Sequence, residues 1–506
     1  MQQKIKKIIL GGAFFNSVIP SVCAQPENIG SNNLPLNVVL ITADDLNYSS
    51  VGYMGCGVQN ITPNLDKLAS QSMLFQNAYV NIAVSQPSRA VLATGLYAHN
   101  NGVEGFYHTD RSVPTIMSVL KENGYTTGIA GKLPHSTPKN MDDWDTKVDQ
   151  PELGDGRDPQ RYYDVFNSFV KRAKEQNKPF YFMANSHDPH RPFHGSDEEH
   201  RTYPEKNFPD ASRVYLPDEV IVPAFIPDLP DVRLDLSQYY SSVRRLDDMV
   251  GRILEVVAEN NLEDNTIIMF LSDNGMDFPF AKTNCYFNSN KTPWIVKWPK
   301  KIKEGCVDSE HFISTIDFMP TILEACNVKS NVKVDGKSFV PLLKGEKQAN
   351  RDRVYIQFHE TSANNRYPMF AVHSADFFYI FNPWSDNNTV FRNSSWGGIT
   401  FKAMEKESAT NEQIKERLNF FKYRTTEEFY DKRTDPDALN NLIDSEDYKQ
   451  LVDKYRNDLL QWMVTYDCPA ANALENHHDV LASKKFMEQQ KEKVKQRLLK
   501  NKNNSN

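Results

Sequence analysis

Two apolar runs that each end in acid constrain this chain more than any other feature. "LNVVLITADD" (36–45) and "NTIIMFLSDNG" (265–275) are continuous and rich in β-branched residues, with no alternation of polar and apolar positions. Strands of that kind are buried on both faces, as in parallel sheets sandwiched by helices. The residues just past them then lie on the carboxyl edge of the sheet, where open α/β folds bind ligands. "YTTGIAGK" and "KPFYFMANSHDPH" read as further strands. Helical patterns alternate with them. "TPNLDKLASQS" has Thr62 as N-cap and Pro63 in the first turn, "VPTIMSVLKENG" closes on Gly124, and "LSQYYSSVRRLDDMVGRILEVVAE" is long and amphipathic. The alternation predicts an α/β domain, a mostly parallel sheet flanked by helices, over 25–349. From about Asn350 the texture shifts to "RVYIQFHE", "MFAVHSADFFYIFN" and "EEFYDKRTDPDALNNL", which predicts a smaller α+β domain with an antiparallel sheet over 350–475.

The two ends differ from the rest. Lys4, Lys6 and Lys7 precede the apolar run Ile8–Ile19, and Val22 and Ala24 offer a small-residue cut, so 1–24 reads as a secretory signal peptide. Export and a periplasmic location follow as expectations. No later stretch is long and apolar enough for a transmembrane segment. At the other end, Lys484–Lys502 carries eight Lys or Arg against two acids, and 476–506 reads as a frayed, solvated basic helix. The formal charge of −7 becomes −10 once the three leader lysines are removed, and no nucleic-acid partner is expected. Cys56, Cys285, Cys306, Cys326 and Cys468 remain; widely spaced and without CxxC, they indicate neither a disulfide framework nor a zinc ribbon, and an exported chain leaves one or two disulfides open.

Candidate chemistry gathers at the strand ends. Asp44 and Asp45 end one run, Asp273 and Asn274 another. Carboxylates meeting on one edge need a hard cation, and oxygen ligands without thiolate suit calcium or magnesium. Cations surround them in sequence: Lys132 and His135 in "GKLPHS", His187, His190 and Arg191 in "SHDPHR", and Lys282 in "FAKTN". A metal ringed by cations suits an oxyanion substrate, sulfate or phosphate. "VSQPSRA" places Ser85 at or just before a helix N-terminus, with Pro87 in its first turn, Arg89 one turn on and Gly95 as the stop.

"SQPSRAVLATG" resembles the sulfatase signature, and "GIAGK", "SDNG" and "FYDKRTDPDALNNL" follow in that family's order. "HNNGVEGF", "SHDPHRPF" and "SDNGMDFPFAKTNCY" are similar to stretches of its heparan N-sulfatase (sulfamidase) group. The resemblance implies an alkaline-phosphatase-like fold and a formylglycine made from Ser85 by a radical maturase. A hydrated aldehyde differs from plain serine in that its second hydroxyl expels sulfate and regenerates the aldehyde. It further implies one Ca2+ held by Asp44, Asp45, Asp273, Asn274 and the residue-85 oxygen. Arg89, Lys132 and His135 would act on the nucleophile, and His187 and Lys282 on the sulfate, with His187 as proton donor. His190, Arg191, His359, Glu360 and Arg366 are candidate contacts to a sulfated glycosaminoglycan oligosaccharide. Two positions depart from the sulfamidase pattern: Pro134 sets His135 one place later than Lys-x-His, and Lys282 stands where arginine is associated with the group. The expected reaction is release of N-sulfate from terminal glucosamine of heparin or heparan sulfate. O-sulfate hydrolysis, a phosphatase using unmodified Ser85, and a silent sulfated-glycan-binding protein remain as alternatives.

Overall fold

A computed structural model describes residues 35–504; the expected leader lies outside the described residues. Eight strands form the large sheet: β1 (Asn37–Ala43), β2 (Met73–Tyr79), β3 (Thr126–Ala130), β4 (Thr146–Val148), β5 (Phe180–Asn185), β6 (Thr266–Ser272), β7 (Trp294–Lys297) and β8 (Cys306–Ser314). Their order is β4-β3-β5-β1-β6-β7-β2-β8. Every pair is parallel except those of β7, which runs antiparallel to both β6 and β2. The continuous apolar run of β1 follows from burial on both faces: Val38 and Leu40 enter one core, Val39 and Ile41 the other.

Register brings the site together. Thr42 of β1 pairs with Asn185 of β5, Ala43 with Ser272 of β6, and Ala130 of β3 with Ala184. The four strands therefore end level, and the residues beyond them share one edge. Helices cover both faces. Pro230–Glu259 buries Leu236, Tyr239, Val243, Leu246, Val250, Ile253 and Val257 at three- and four-residue spacing. It packs on Pro159–Glu175, whose first turn has proline and whose Asp158 accepts from the N–H groups of Gln160 and Arg161. On the other face Leu92, Ile116, Leu120, Phe318 and Ile322 pack with Val38 and Leu40.

The second sheet holds β9 (Arg353–Glu360), β10 (Arg366–Ser374), β11 (Phe377–Phe381) and β12 (Glu427–Asp431), antiparallel throughout, in the order β12-β11-β10-β9. Its Phe358, Phe370, Phe378 and Phe429 continue the apolar cluster that holds Val39 and Ile41, so the two sheets share a core. No helix among the described residues is long and apolar enough to cross a membrane. Cys56, Cys285, Cys326 and Cys468 are free thiols. One expectation is corrected: the basic helix, Val480–Asn504, is docked, with Lys493, Arg497 and Lys500 paired to Glu104, Glu360 and Asp110.

Candidate active site

Ser85 opens the helix Ser85–Thr94, after an extended Val84, and the helix ends on Gly95 in the left-handed region at φ 64°. All ten residues of this helix are buried. The Ser85 hydroxyl donates to Asp44 Oδ1 at 2.9 Å. Arg89, one turn on, is locked: Nε donates to Asp273 Oδ2 at 3.0 Å, and Nη1 to Thr42 Oγ1 at 2.8 Å and Asn185 Oδ1 at 2.7 Å. It lies under the acidic centre, spanning the ends of β1, β5 and β6.

Ligand oxygens of Asp44, Asp45 and Asp273 all lie within 4.8 Å of one another. Asp45, in the left-handed region at φ 68°, accepts from Asn274 Nδ2 and from Lys282 Nζ, each at 2.7 Å. Burial raises the Asp45 carboxyl to about 6, against Lys282 and with the push of Asp44 and Asp277. Burial also raises Asp273 to about 7, with Arg89 opposing and Asp44 and Asp45 adding to the rise. Asp44 moves the other way. Burial alone would raise it, but Lys132, then His190, Arg89 and Lys282, hold it well below the usual carboxylate range. Asn274 Oδ1 is buried without a hydrogen-bond partner. Three crowded carboxylates and a partnerless amide oxygen form an oxygen-only donor set, which fits a hard divalent cation.

Lys132 and His135 approach from the end of β3 and His190 from the end of β5, while Lys282 comes from the loop after β6. Lys132, at φ 53°, caps the single turn Leu133–Ser136, and its ammonium pairs with Asp44. With Pro134 near its start, that turn carries His135 three residues past its cap, Lys132. His135 rests edge-on against Phe106, centroids 5.4 Å apart, and burial, then Lys132, push its imidazole down to about 3. The partial burial of His190 and the charge of Lys282 push that imidazole down to about 4; its Nε2 is 3.8 Å from Asp45 Oδ2. Lys282 moves up, because Asp45, Asp277 and Asp44 together outweigh its burial.

A cavity of about 310 Å³ opens over this centre, lined by Ser85, His135, His190, Arg191 and Lys282. His187 is not among its lining residues. It is 6% exposed, its Nε2 has no hydrogen-bond partner, and a Cβ on Gly156 would lie 2.2 Å from its ring. Arg191 lines the cavity with its fork already committed to Asp235, at 3.0 and 2.8 Å. The structure does not bring His359, Glu360 and Arg366 to the cavity. His359 donates to or accepts from Gln357 at 2.7 Å, Glu360 pairs with Arg497, and Arg366 pairs with Glu104. The lining residues in their place are Thr361 and Ser362, just past the end of β9. Asp277, Glu198, Phe106 and Ser394 also line the cavity and were not singled out in the sequence. Asp277 had a signal, four residues past Asp273 in the same loop; the others had none.

This fold, with an acidic oxygen centre ringed by cations at its carboxyl edge, defines an alkaline-phosphatase-like hydrolase of an anionic group. Within that class the chain belongs to the sulfatase family, which residues 36–328 match, and it is a sulfuric ester hydrolase. Residues 277–389 match a second family, N-sulphoglucosamine sulphohydrolase, C-terminal. The chain is similar to the human N-sulphoglucosamine sulphohydrolase, 29% identical over 88% of this chain and 93% of that one. It is also similar to an N-acetylglucosamine-6-O-sulfatase of Bacteroides thetaiotaomicron, 25% identical over 68% of this chain and 77% of that one. A protein solved with its substrate D-glucosamine-2-N,6-O-disulfate shares the fold, with TM-score 0.64 and 19% identity over 86% of this chain and 98% of that one.

Proposed function

We propose that this chain hydrolyses the N-sulfate of a terminal glucosamine in heparin or heparan sulfate, after export to the periplasm and maturation of Ser85 by a radical maturase. The match of residues 277–389 to the N-sulphoglucosamine sulphohydrolase C-terminal family carries the reading, because it falls on the loop and strands that complete the cavity. Ca2+, held by Asp44, Asp45, Asp273, Asn274 and the residue-85 oxygen, would supply positive charge to the sulfate oxygens. Formylglycine at position 85 would supply a nucleophile that regenerates itself.

The chain's own residues do the rest. Lys132 and Lys282 hold the sulfuryl oxygens in a site shielded from water, where their charge counts most. His135, kept neutral by burial and by Lys132, accepts the proton of the attacking hydroxyl. A departing amine nitrogen needs a proton. His190 lines the cavity beside Lys282, and its Nδ1 is engaged by the Arg191 carbonyl at 2.5 Å, which leaves Nε2 for the exchange. Burial and then Lys282 keep this imidazole neutral in the free site; the negative charge of a bound sulfate favours its protonated form, which would pass the proton to nitrogen. His190 thus replaces His187 as the proposed donor.

The test offers matured enzyme N-sulfated glucosamine beside 6-O-sulfated N-acetylglucosamine. Sulfate release from the first is expected. Release only from the second would overturn the N-sulfate reading in favour of an O-sulfatase, which the Bacteroides thetaiotaomicron relative supports. Mass spectrometry of the Ser85 peptide checks maturation: a loss of about two mass units marks the aldehyde, and an unmodified serine would favour the glycan-binding alternative.

A further inference from the structure

Two segments of the cavity wall, Phe106 and Thr361–Ser362, come from distant parts of the chain. Behind each stands a buried carboxylate: Glu104, two residues before Phe106, and Glu360, directly before Thr361. Arg366 bridges them, with Nη2 2.5 Å from Glu104 Oε2 and Nη1 3.7 Å from Glu360 Oε2. One guanidinium does not neutralise two carboxylates, and a buried charge left unpaired is strongly destabilising. The remaining charge comes from the C-terminal helix. Its Gln490, Lys493 and Arg497 fall at i, i+3 and i+7, on one face. Lys493 Nζ lies 2.7 Å from Glu104 Oε2, and Gln490 Oε1 accepts from Arg366 Nη2 at 2.7 Å.

Of the three helix residues, Arg497 is the one that meets the flanks of both segments. Its Nη2 is 2.6 Å from Glu360 Oε1 and 3.0 Å from Asn364 Oδ1, on either side of Thr361–Ser362. Its guanidinium also covers the ring of Tyr107, the neighbour of Phe106, at 3.9 Å from the centroid. The two segments already fit closely: a Cβ on Gly105 would sit 2.6 Å from Glu360 Oε1. We propose that the C-terminal helix is a clasp that sets the sugar-facing wall of the cavity, with Arg497 as its positioning residue. The clasp acts from outside and touches no substrate. It selects for the sugar by fixing where Phe106, Thr361 and Ser362 stand, and so rests on the sulfated-sugar reading above.

The test uses full-length matured enzyme as wild type, Arg497→Ala and Arg497→Lys. Each is assayed on N-sulfated glucosamine and on 4-nitrophenyl sulfate, an ester with no sugar to meet the wall. In Arg497→Ala, KM for the sugar is expected to rise about tenfold with kcat within about twofold, and the aryl ester's constants to stay put. Arg497→Lys restores charge without the fork and should recover part of the KM. Equal losses on both substrates, or an unchanged sugar KM, would overturn the clasp. Amide hydrogen exchange gives an activity-free readout: residues 104–107 and 360–366 should exchange faster in Arg497→Ala. If wild type cleaves the aryl ester but no sulfated sugar, the sugar reading fails, and exchange still decides the clasp; unchanged exchange refutes it.

Discussion

The acids and lysines of the site were legible one residue at a time, because a buried strand has only one place to put the polar residues that follow it. Asp44, Asp45, Asp273, Lys132 and Lys282 do meet. The histidines were not legible in the same way. "SHDPHR" offers two within four residues, and only the backbone path beyond β5 decides that His190 lines the cavity while His187 is buried and does not. The end of β9 repeats the lesson: Glu360 faces inward to Arg366 and Arg497, and the next two residues form the lip. Mutation separates the two histidines. His190→Ala should lower kcat on N-sulfated glucosamine by about 10²–10⁴-fold, the usual worth of general-acid help. It should hurt 4-nitrophenyl sulfate far less, since nitrophenolate departs without a proton. His187→Ala should cost both substrates alike. A larger, substrate-selective loss in His187→Ala would return the donor role to that residue.

At the scale of elements, helix and strand types followed from apolar spacing, while what caps and joins them did not. Thr62 and Pro63 do begin the helix Pro63–Ser70, yet the Thr62 side chain makes no capping bond. Its hydroxyl accepts from Gly52 N–H and donates to Asp66. The cap comes from the long helix Pro230–Glu259: Asp247 Oδ2 accepts from Asn64 N–H at 3.0 Å and Oδ1 from Leu65 N–H at 2.8 Å. A residue more than 180 positions away does the work that a local motif usually does, and no local pattern announces it. Asp247→Ala leaves two helix-start donors without their carboxylate, a loss of about 1–3 kcal/mol for a buried unsatisfied group. Its Tm should fall by about 1–3 °C, measured by calorimetry, and by more than that of Thr62→Val. An unchanged Tm would mean that water replaces Asp247 at no cost.

For the whole molecule, the change of texture near Asn350 correctly announced a second sheet, but composition misjudged what lies beyond it. A helix with a net charge of +6 looks solvated when its partners are unknown; Glu104, Glu360 and Asp110 are scattered through the chain and meet only once both sheets are built. Charge balance also governs the active site. Once all three are ionised, above the raised range of Asp45 and Asp273, the carboxylates of Asp44, Asp45 and Asp273 carry three negative charges, and Arg89, Lys132 and Lys282 already pair with them. A divalent cation therefore adds charge to a balanced centre, and that excess waits for an anion. Cation and sulfate binding should be positively coupled, each raising the other's affinity by the same factor. Thermal unfolding at fixed ionic strength reads this directly. Calcium alone should raise Tm, because it binds only the folded arrangement, and millimolar sulfate should raise it further. With a chelator present, the same sulfate should leave Tm where chloride leaves it. A sulfate shift of equal size without calcium would show that the lysines alone hold the anion, and that the metal is not what makes this edge of the sheet a sulfate site.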